Sequence, residues 1–215
     1  MDSRATGRAR CVRPFMFFGA VALWAGLIAA QEPPHLVGEI NPSGGAGISS
    51  PFAFGGAVYF AANDGQSGAE LWKSDGAATA PVKDINPEGD SAPSDFAAAG
   101  GILYFAADDG VNGRELWRTD GTEAGTVLVR DVQIEGSSSP SELSAVGGVV
   151  YFSADNGVKG RELWKSDGTE AGTVLVKDVN GAGGAFPSEL TIFNGMVYFS
   201  ANEEATGQEL WKTDG

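Results

Sequence analysis

The side chains able to do chemistry in this sequence are almost all carboxylates. Asn63-Asp64-Gly65, Asp108-Asp109-Gly110 and Asp155-Asn156-Gly157 put oxygen donors at three equivalent positions, the ligand type a hard cation such as calcium takes. Their spacing fits neither the helix-loop-helix calcium loop nor the Gly-rich nonapeptide of parallel β-helices, and an Asx-Gly pair is also what a tight hairpin needs. The expectation is therefore plain turns, with calcium the one candidate cofactor. Glu135, Glu203 and Glu204 are acidic residues that break the pattern of recurrence, and a glycosidase-type carboxylate pair is the catalysis this inventory leaves open. His35 is the only histidine and Cys11 the only cysteine, so Ser-His-Asp and Cys-His machinery and a histidine-rich zinc site are excluded. No phosphate-binding glycine loop or dinucleotide fingerprint precedes a helix-forming stretch. No catalytic, cofactor-binding or metal residue is assigned on these grounds, and the chain is expected to be non-enzymatic.

The elements that must hold these residues repeat. Glu-Leu-Trp recurs at Glu70, Glu115, Glu162 and Glu209, and Tyr-Phe at Tyr59, Tyr104, Tyr151 and Tyr198, always eleven residues before the glutamate. In the third copy the predicted strands are 141–146, 149–154, 161–165 and 173–179, separated by Gly147-Gly148, Asp155-Asn156-Gly157 and Ser166-Asp167-Gly168, which supply the positive φ of tight hairpins. Consecutive residues of Val149-Val150-Tyr151-Phe152 point to opposite faces yet are all apolar, so both faces of each four-stranded unit want burial. Lateral packing of like units, the propeller arrangement, meets that demand. A period in the mid forties also suits a blade.

Trp72, Trp117, Trp164 and Trp211 are expected in the seams between units, each indole N–H free to meet a carbonyl. Asp75, Asp120, Asp167 and Asp214 precede glycines and read as turn residues. The recurring glutamates and the basic residues Lys73, Arg118, Lys165 and Lys212 suggest a repeated cross-strand ion pair. Leu36 to Pro42 aligns with Pro81 to Pro87, the fourth strand of the first copy, so an N-terminal strand at 35–42 is expected to be able to complete the last unit and close a ring of four. The competing account is an open array that continues beyond Gly215.

The run from Glu162 through Ser166-Asp167-Gly168-Thr169 to Val179, matched by Glu115 to Val132, resembles the signature of the bacterial ELWxxDGT-repeat proteins, also called hyalin-like. The resemblance implies an exported or surface-associated repeat protein of propeller-like architecture and carries no catalytic residue with it. The first copy departs from the pattern at Gly76-Ala77-Ala78-Thr79-Ala80, and the fourth at Asn202-Glu203-Glu204.

Arg4, Arg8, Arg10 and Arg13 precede the apolar run Phe15 to Ala30, the pattern of a secretory signal peptide over 1–30. Its loss leaves a strongly acidic chain, since the whole already carries a formal charge of -14; such a field repels nucleic acid and anionic membrane surfaces. Cys11 would leave with the leader. The expected organisation is a signal peptide at 1–30 and an all-β, propeller-like repeat domain at 31–215, with repeats at about 46–90, 91–137, 138–184 and 185–215. The expected function is binding or structural display at the bacterial cell surface or outside the cell. A glycan or an extracellular protein would be the partner, met by loops such as Gln66 to Ala69, Val111 to Arg114 and Val158 to Arg161. The alternatives are a carbohydrate-active hydrolase or lyase using carboxylates, and a purely structural envelope or matrix repeat.

Overall fold

The computed structural model describes residues 33–181 and 183–215, and the expected signal peptide at 1–30 lies outside them. The repeats fall in one unit, Leu36–Gly215. It is all-β among the described residues and consists of four antiparallel sheets. The first holds β1 (Ser49–Phe54), β2 (Ala57–Asn63), β3 (Ala69–Ser74) and β4 (Thr79–Lys83). The second holds β5 (Ser94–Ala99), β6 (Ile102–Asp108), β7 (Arg114–Thr119) and β8 (Val127–Arg130). The third holds β9 (Ser141–Val146), β10 (Val149–Asp155), β11 (Arg161–Ser166) and β12 (Val174–Lys177), and the fourth β13 (Ser188–Phe193), β14 (Met196–Glu203) and β15 (Gly207–Thr213).

Each sheet is a meander whose neighbours in sequence are neighbours in space. The β9–β10 hairpin turns on Gly147 and Gly148, at φ of 61° and 85°, a conformation that a side chain at either site would oppose. The β10–β11 turn is held by Asn156, whose Oδ1 accepts the N–H groups of Val158 and Lys159. The fourth strand of the third copy is shorter than expected, 174–177 instead of 173–179. Thr173 is taken up by the turn, where its hydroxyl bonds Ser166 Oγ and Thr169 O, and the Val179 N–H goes to a side chain, as described below.

Both faces of the inner sheets are buried. Val150, Tyr151 and Phe152 are all inaccessible to solvent although they alternate in direction. The sheets stack side by side, with β1 against β5, β5 against β9 and β9 against β13. The tryptophans close the seams: Trp117 packs on Tyr59, Leu71, Val82 and Ile85 of the preceding repeat, Trp164 on Tyr104, Leu116, Val129 and Val132. Their indole N–H groups, with that of Trp211, meet no acceptor in the protein, which corrects the expectation that each would find a carbonyl.

The ring of four is not closed. Among the described residues the fourth sheet has three strands, and residues 35–42 form no strand. The physical reason lies at the first sheet: Ile40 and Ala46 pack on Phe60, Ala62 and Trp72, and Ala46 O accepts the Asn63 N–H at 2.8 Å. The segment is thereby anchored as the lead-in to the first sheet.

Candidate functional site

The first strand of every sheet is broken by a β-bulge two residues into the strand, and the residue at the bulge has a left-handed backbone: Ser50, Asp95, Glu142 and Glu189, with φ of 53°, 55°, 60° and 59°. None is glycine, so each position stores on the order of 1–3 kcal/mol of strain that the surrounding ladder must hold. A bulge re-aims one side chain out of the pleat. In three consecutive sheets the side chain re-aimed is a carboxylate, and all three are exposed.

The bulges are pinned from the third strands. Arg114 donates to Ser94 Oγ at 2.5 Å and to the carbonyls of Ala92 and Ala106, while Ser94 Oγ in turn donates to Asp95 Oδ2 at 2.5 Å. Arg161 repeats the arrangement with Ser141 Oγ, Ser138 O and Ser153 O. In the fourth sheet Gln208 takes the arginine's place and donates to Ser200 Oγ. Glu142 reaches the next sheet, its Oε2 accepting the Leu190 N–H at 3.4 Å, so its carboxylate lies beside the backbone that carries Glu189. Asp95, Glu142 and Glu189 thus form one row of acids along consecutive first strands. The expected catalytic breaks in symmetry, Glu135, Glu203 and Glu204, are not part of it. The signal that would have found the row is the dipeptide Ser94-Asp95, Ser141-Glu142, Ser188-Glu189, nine residues ahead of each Tyr-Phe pair.

The recurring glutamates do something else. Glu70, Glu115 and Glu162 are buried within the fold and accept hydrogen bonds from the segment that leads to the next sheet. Glu115 takes the N–H groups of Val132 and Ser138 and the Ser138 hydroxyl; Glu70 takes those of Ile85 and Ser91 and the Ser91 hydroxyl; Glu162 takes the N–H groups of Val179 and Ala185. The expected cross-strand ion pair is therefore corrected: across the ladder Glu70 stands opposite Ala62 and Lys73 opposite Tyr59, and Lys73 donates to Gly121 O of the next repeat at 2.8 Å.

Burial pushes the carboxyls of Glu70, Glu115 and Glu162 above their ordinary value of 4.5; the hydrogen bonds pull back only part of the way, and Asp84, Asp131 and Asp178 add repulsion. The turn aspartates go the other way. Hydrogen bonds from Ser67 and Gln66, Ala78 and Ala77, Thr122, and Thr169 hold Asp64, Asp75, Asp120 and Asp167 below 3.8. The folded chain binds the glutamate protons more tightly than the unfolded chain, so their contribution to stability falls as pH rises from 4.5 through the raised values. The aspartates stabilise above 3.8, and that stabilisation is lost as pH falls through their lowered values. Thermal melts from acid to neutral pH should show a stability maximum at about pH 4–5, with the neutral flank flattened in Glu115→Gln. A Tm that climbs steadily from pH 4.5 to 7 would contradict this assignment.

The Asx-Gly turns expected as the cation candidates spend their oxygens locally: Asp64 Oδ1 on Gln66 and Ser67 N–H, Asp109 Oδ1 on Val111 and Asn112 N–H. Among the described residues no three His, Cys, Asp or Glu side chains are grouped to hold a metal. Val111 and Val158 stand out in solvent at the tips of their loops.

The fold and these sites define a β-propeller-like repeat protein with an acidic row on its first strands. No protein-family model and no curated protein matches the chain. Among solved structures it is similar to one from a study of two prolyl endopeptidases (TM-score 0.47, 15% identity, 74% of this chain and 23% of that one). It is also similar to an alpha-L-arabinofuranosidase from Clostridium thermocellum ATCC 27405 (TM-score 0.37, 14% identity, 77% and 68%) and to an endo-arabinanase from Bacillus licheniformis (TM-score 0.25, 13% identity, 76% and 91%). The chain spans about a quarter of the endopeptidase structure's length. The expectation of a non-enzymatic display or structural module is corrected only this far: these neighbours are named as enzymes, two of them glycosidases, and the likeness to them is one of fold.

Proposed function

We propose that this chain is an exported, carbohydrate-active hydrolase whose chemistry rests on Asp95, Glu142 and Glu189. The observation that carries the reading is their placement: three exposed carboxylates, each on a strained bulge at the same position of consecutive first strands. Glycoside hydrolysis needs one carboxylic acid to protonate the leaving oxygen and one carboxylate to activate water or attack the sugar carbon. Neighbours in such a row can divide those roles, and the third can orient the sugar hydroxyls. Arg114 and Arg161 are positioning residues that hold the bulges through Ser94 and Ser141.

Export is supported by the arginine-led apolar run Phe15 to Ala30 and by the acidic composition; among the described residues no helix is long and apolar enough to cross a membrane. The repeat motif supports membership of the bacterial ELWxxDGT-repeat proteins and hence a secreted or cell-surface setting, with a glycan as substrate. Reducing-end release from a panel of plant and microbial polysaccharides, arabinan first, tests the activity. Asp95→Asn, Glu142→Gln and Glu189→Gln are compared with the parent chain. Loss of about 100-fold or more in at least two of the variants, with unchanged melts, is the expected result. Absence of release by the parent chain, or release indifferent to all three substitutions, defeats the proposal.

A further inference from the structure

The residue three places ahead of each bulge is left-handed as well. Gly47, Ala92, Ser139 and Phe186 have φ of 60°, 44°, 46° and 51°, and the last three stand directly before a proline, which pushes the residue ahead of it toward extended backbone. Each of the three is held against that preference by the first residue of the preceding sheet's third strand. The carbonyls of Ala69, Arg114 and Arg161 accept the N–H groups of Ala92, Ser139 and Phe186 at 2.9, 3.0 and 3.0 Å. Glycine, alanine and serine are small residues for so cramped a backbone. A phenylalanine there is an outlier, and strained residues of this kind cluster at active sites and ligand clamps.

A second departure from the repeat makes room for the ring. Two residues before the left-handed position, Asp90 Oδ1 and Ser137 Oγ accept the N–H groups of Ala69 and Arg114 at 2.6 and 3.0 Å. The third copy has Gly184 at that place, where a Cβ would stand 2.7 Å from Arg161 N and 3.2 Å from Phe186 Cε2. The ring lies beside the bare Gly184 backbone, and the residue is 61% exposed. The position is an open one inside the array: Ala92, with sheets on either side, is exposed too. Pro187, next in the chain, is buried and fixes the base of the ring.

The backbone ties this ring to two acids of the row. Glu189 is three residues on, so its Cα lies within about 11 Å of that of Phe186. Arg161, whose carbonyl holds Phe186, sends its guanidinium to Ser141 Oγ beside Glu142. On the reading of the row as a glycan-cleaving site, we propose that Phe186 is a stacking platform for a sugar residue of the bound polysaccharide, next to the residue being cleaved. The C–H face of a sugar lies flat on an aromatic ring while its hydroxyls stay in water or reach the carboxylates, the division between apolar wall and few polar groups by which sites orient a ligand. Such a platform makes the site favour chains over short glycosides.

The measurement is retardation in native gels containing arabinan, galactan, xylan or hydroxyethyl cellulose, with reducing-end release from the same polysaccharides followed in parallel. Phe186→Ala installs the residue that Ala92 shows this backbone accepts, so the fold should hold. It should weaken binding about tenfold, the size of one lost ring contact, and raise KM on the polysaccharide with kcat little changed. Phe186→Tyr should bind as the parent chain does. A parent chain retarded by none of these glycans, or retarded no more than Phe186→Ala, overturns the platform. The platform and the hydrolysis fail separately. Retardation that Phe186→Ala weakens, without release of reducing ends, keeps the platform and removes the hydrolysis; release with a KM that Phe186→Ala does not move keeps the hydrolysis and removes the platform.

Discussion

Replacing Trp164 by alanine should lower the unfolding free energy by about 3–5 kcal/mol, the range for truncating a buried aromatic side chain. The indole is 6% exposed and fills the seam between the second and third sheets, against Tyr104, Leu116, Val129 and Val132. Its removal leaves a cavity that two rigid sheets, each tied to its neighbours, cannot collapse. Its N–H bonds nothing in the protein, so the loss is of packing and not of a hydrogen bond. Were the tryptophans instead an exposed ligand-binding stripe, truncation would shift the melt by no more than a degree or two. Chemical denaturation with the midpoint and slope fitted together is the direct measurement, because a change in slope would reveal that the seam had opened without global unfolding.

Glu115→Ala should be of similar size, about 3–5 kcal/mol, for a different reason. The carboxylate is buried between β7 and the segment leading to β9, where it accepts two backbone N–H groups and the Ser138 hydroxyl. Truncation strands these donors, and each unsatisfied buried group costs about 1–3 kcal/mol. Glu115→Gln keeps the shape but turns one acceptor into a donor facing N–H or O–H groups, so it should recover only part of the loss. The control is Glu209→Ala at the same repeat position: Glu209 is exposed, and the substitution should change stability by no more than about 0.5 kcal/mol. Equal losses at the two positions would show that the glutamate acts through strand propensity and not through its hydrogen bonds.

The recurring glutamates show how far local sequence can be read. Glu70, Glu115 and Glu162 stand in the same Glu-Leu-Trp motif and look like exposed strand acids. Each is buried because a segment fifteen to twenty-three residues further on folds back over it. The cross-strand ion pair expected from the recurring acid and base failed on register, since Glu70 stands opposite Ala62 and Lys73 opposite Tyr59. The acidic row was missed for a related reason. Asp95, Glu142 and Glu189 recur by repeat position, so they look structural in a list of recurring residues, and only the bulge and its positive φ show that they are turned out of the pleat.

What this sequence determined unaided was the repeating unit: where strands begin and turn, that both faces of each sheet must be covered, and that Trp117, Trp164 and Trp211 lie in the seams, while Trp72 packs under Ile40 and Ala46 on the first sheet. Those properties follow from alternation, glycine pairs and the spacing of aromatic residues, all of which act within one hairpin. The tertiary structure alone decided which carboxylates are buried caps and which form an exposed row. It also decided that the segment at 36–46 is seated on the first sheet and not on the fourth. Such choices depend on contacts between residues far apart in the chain, where several docking partners share the same local motif and packing selects among them.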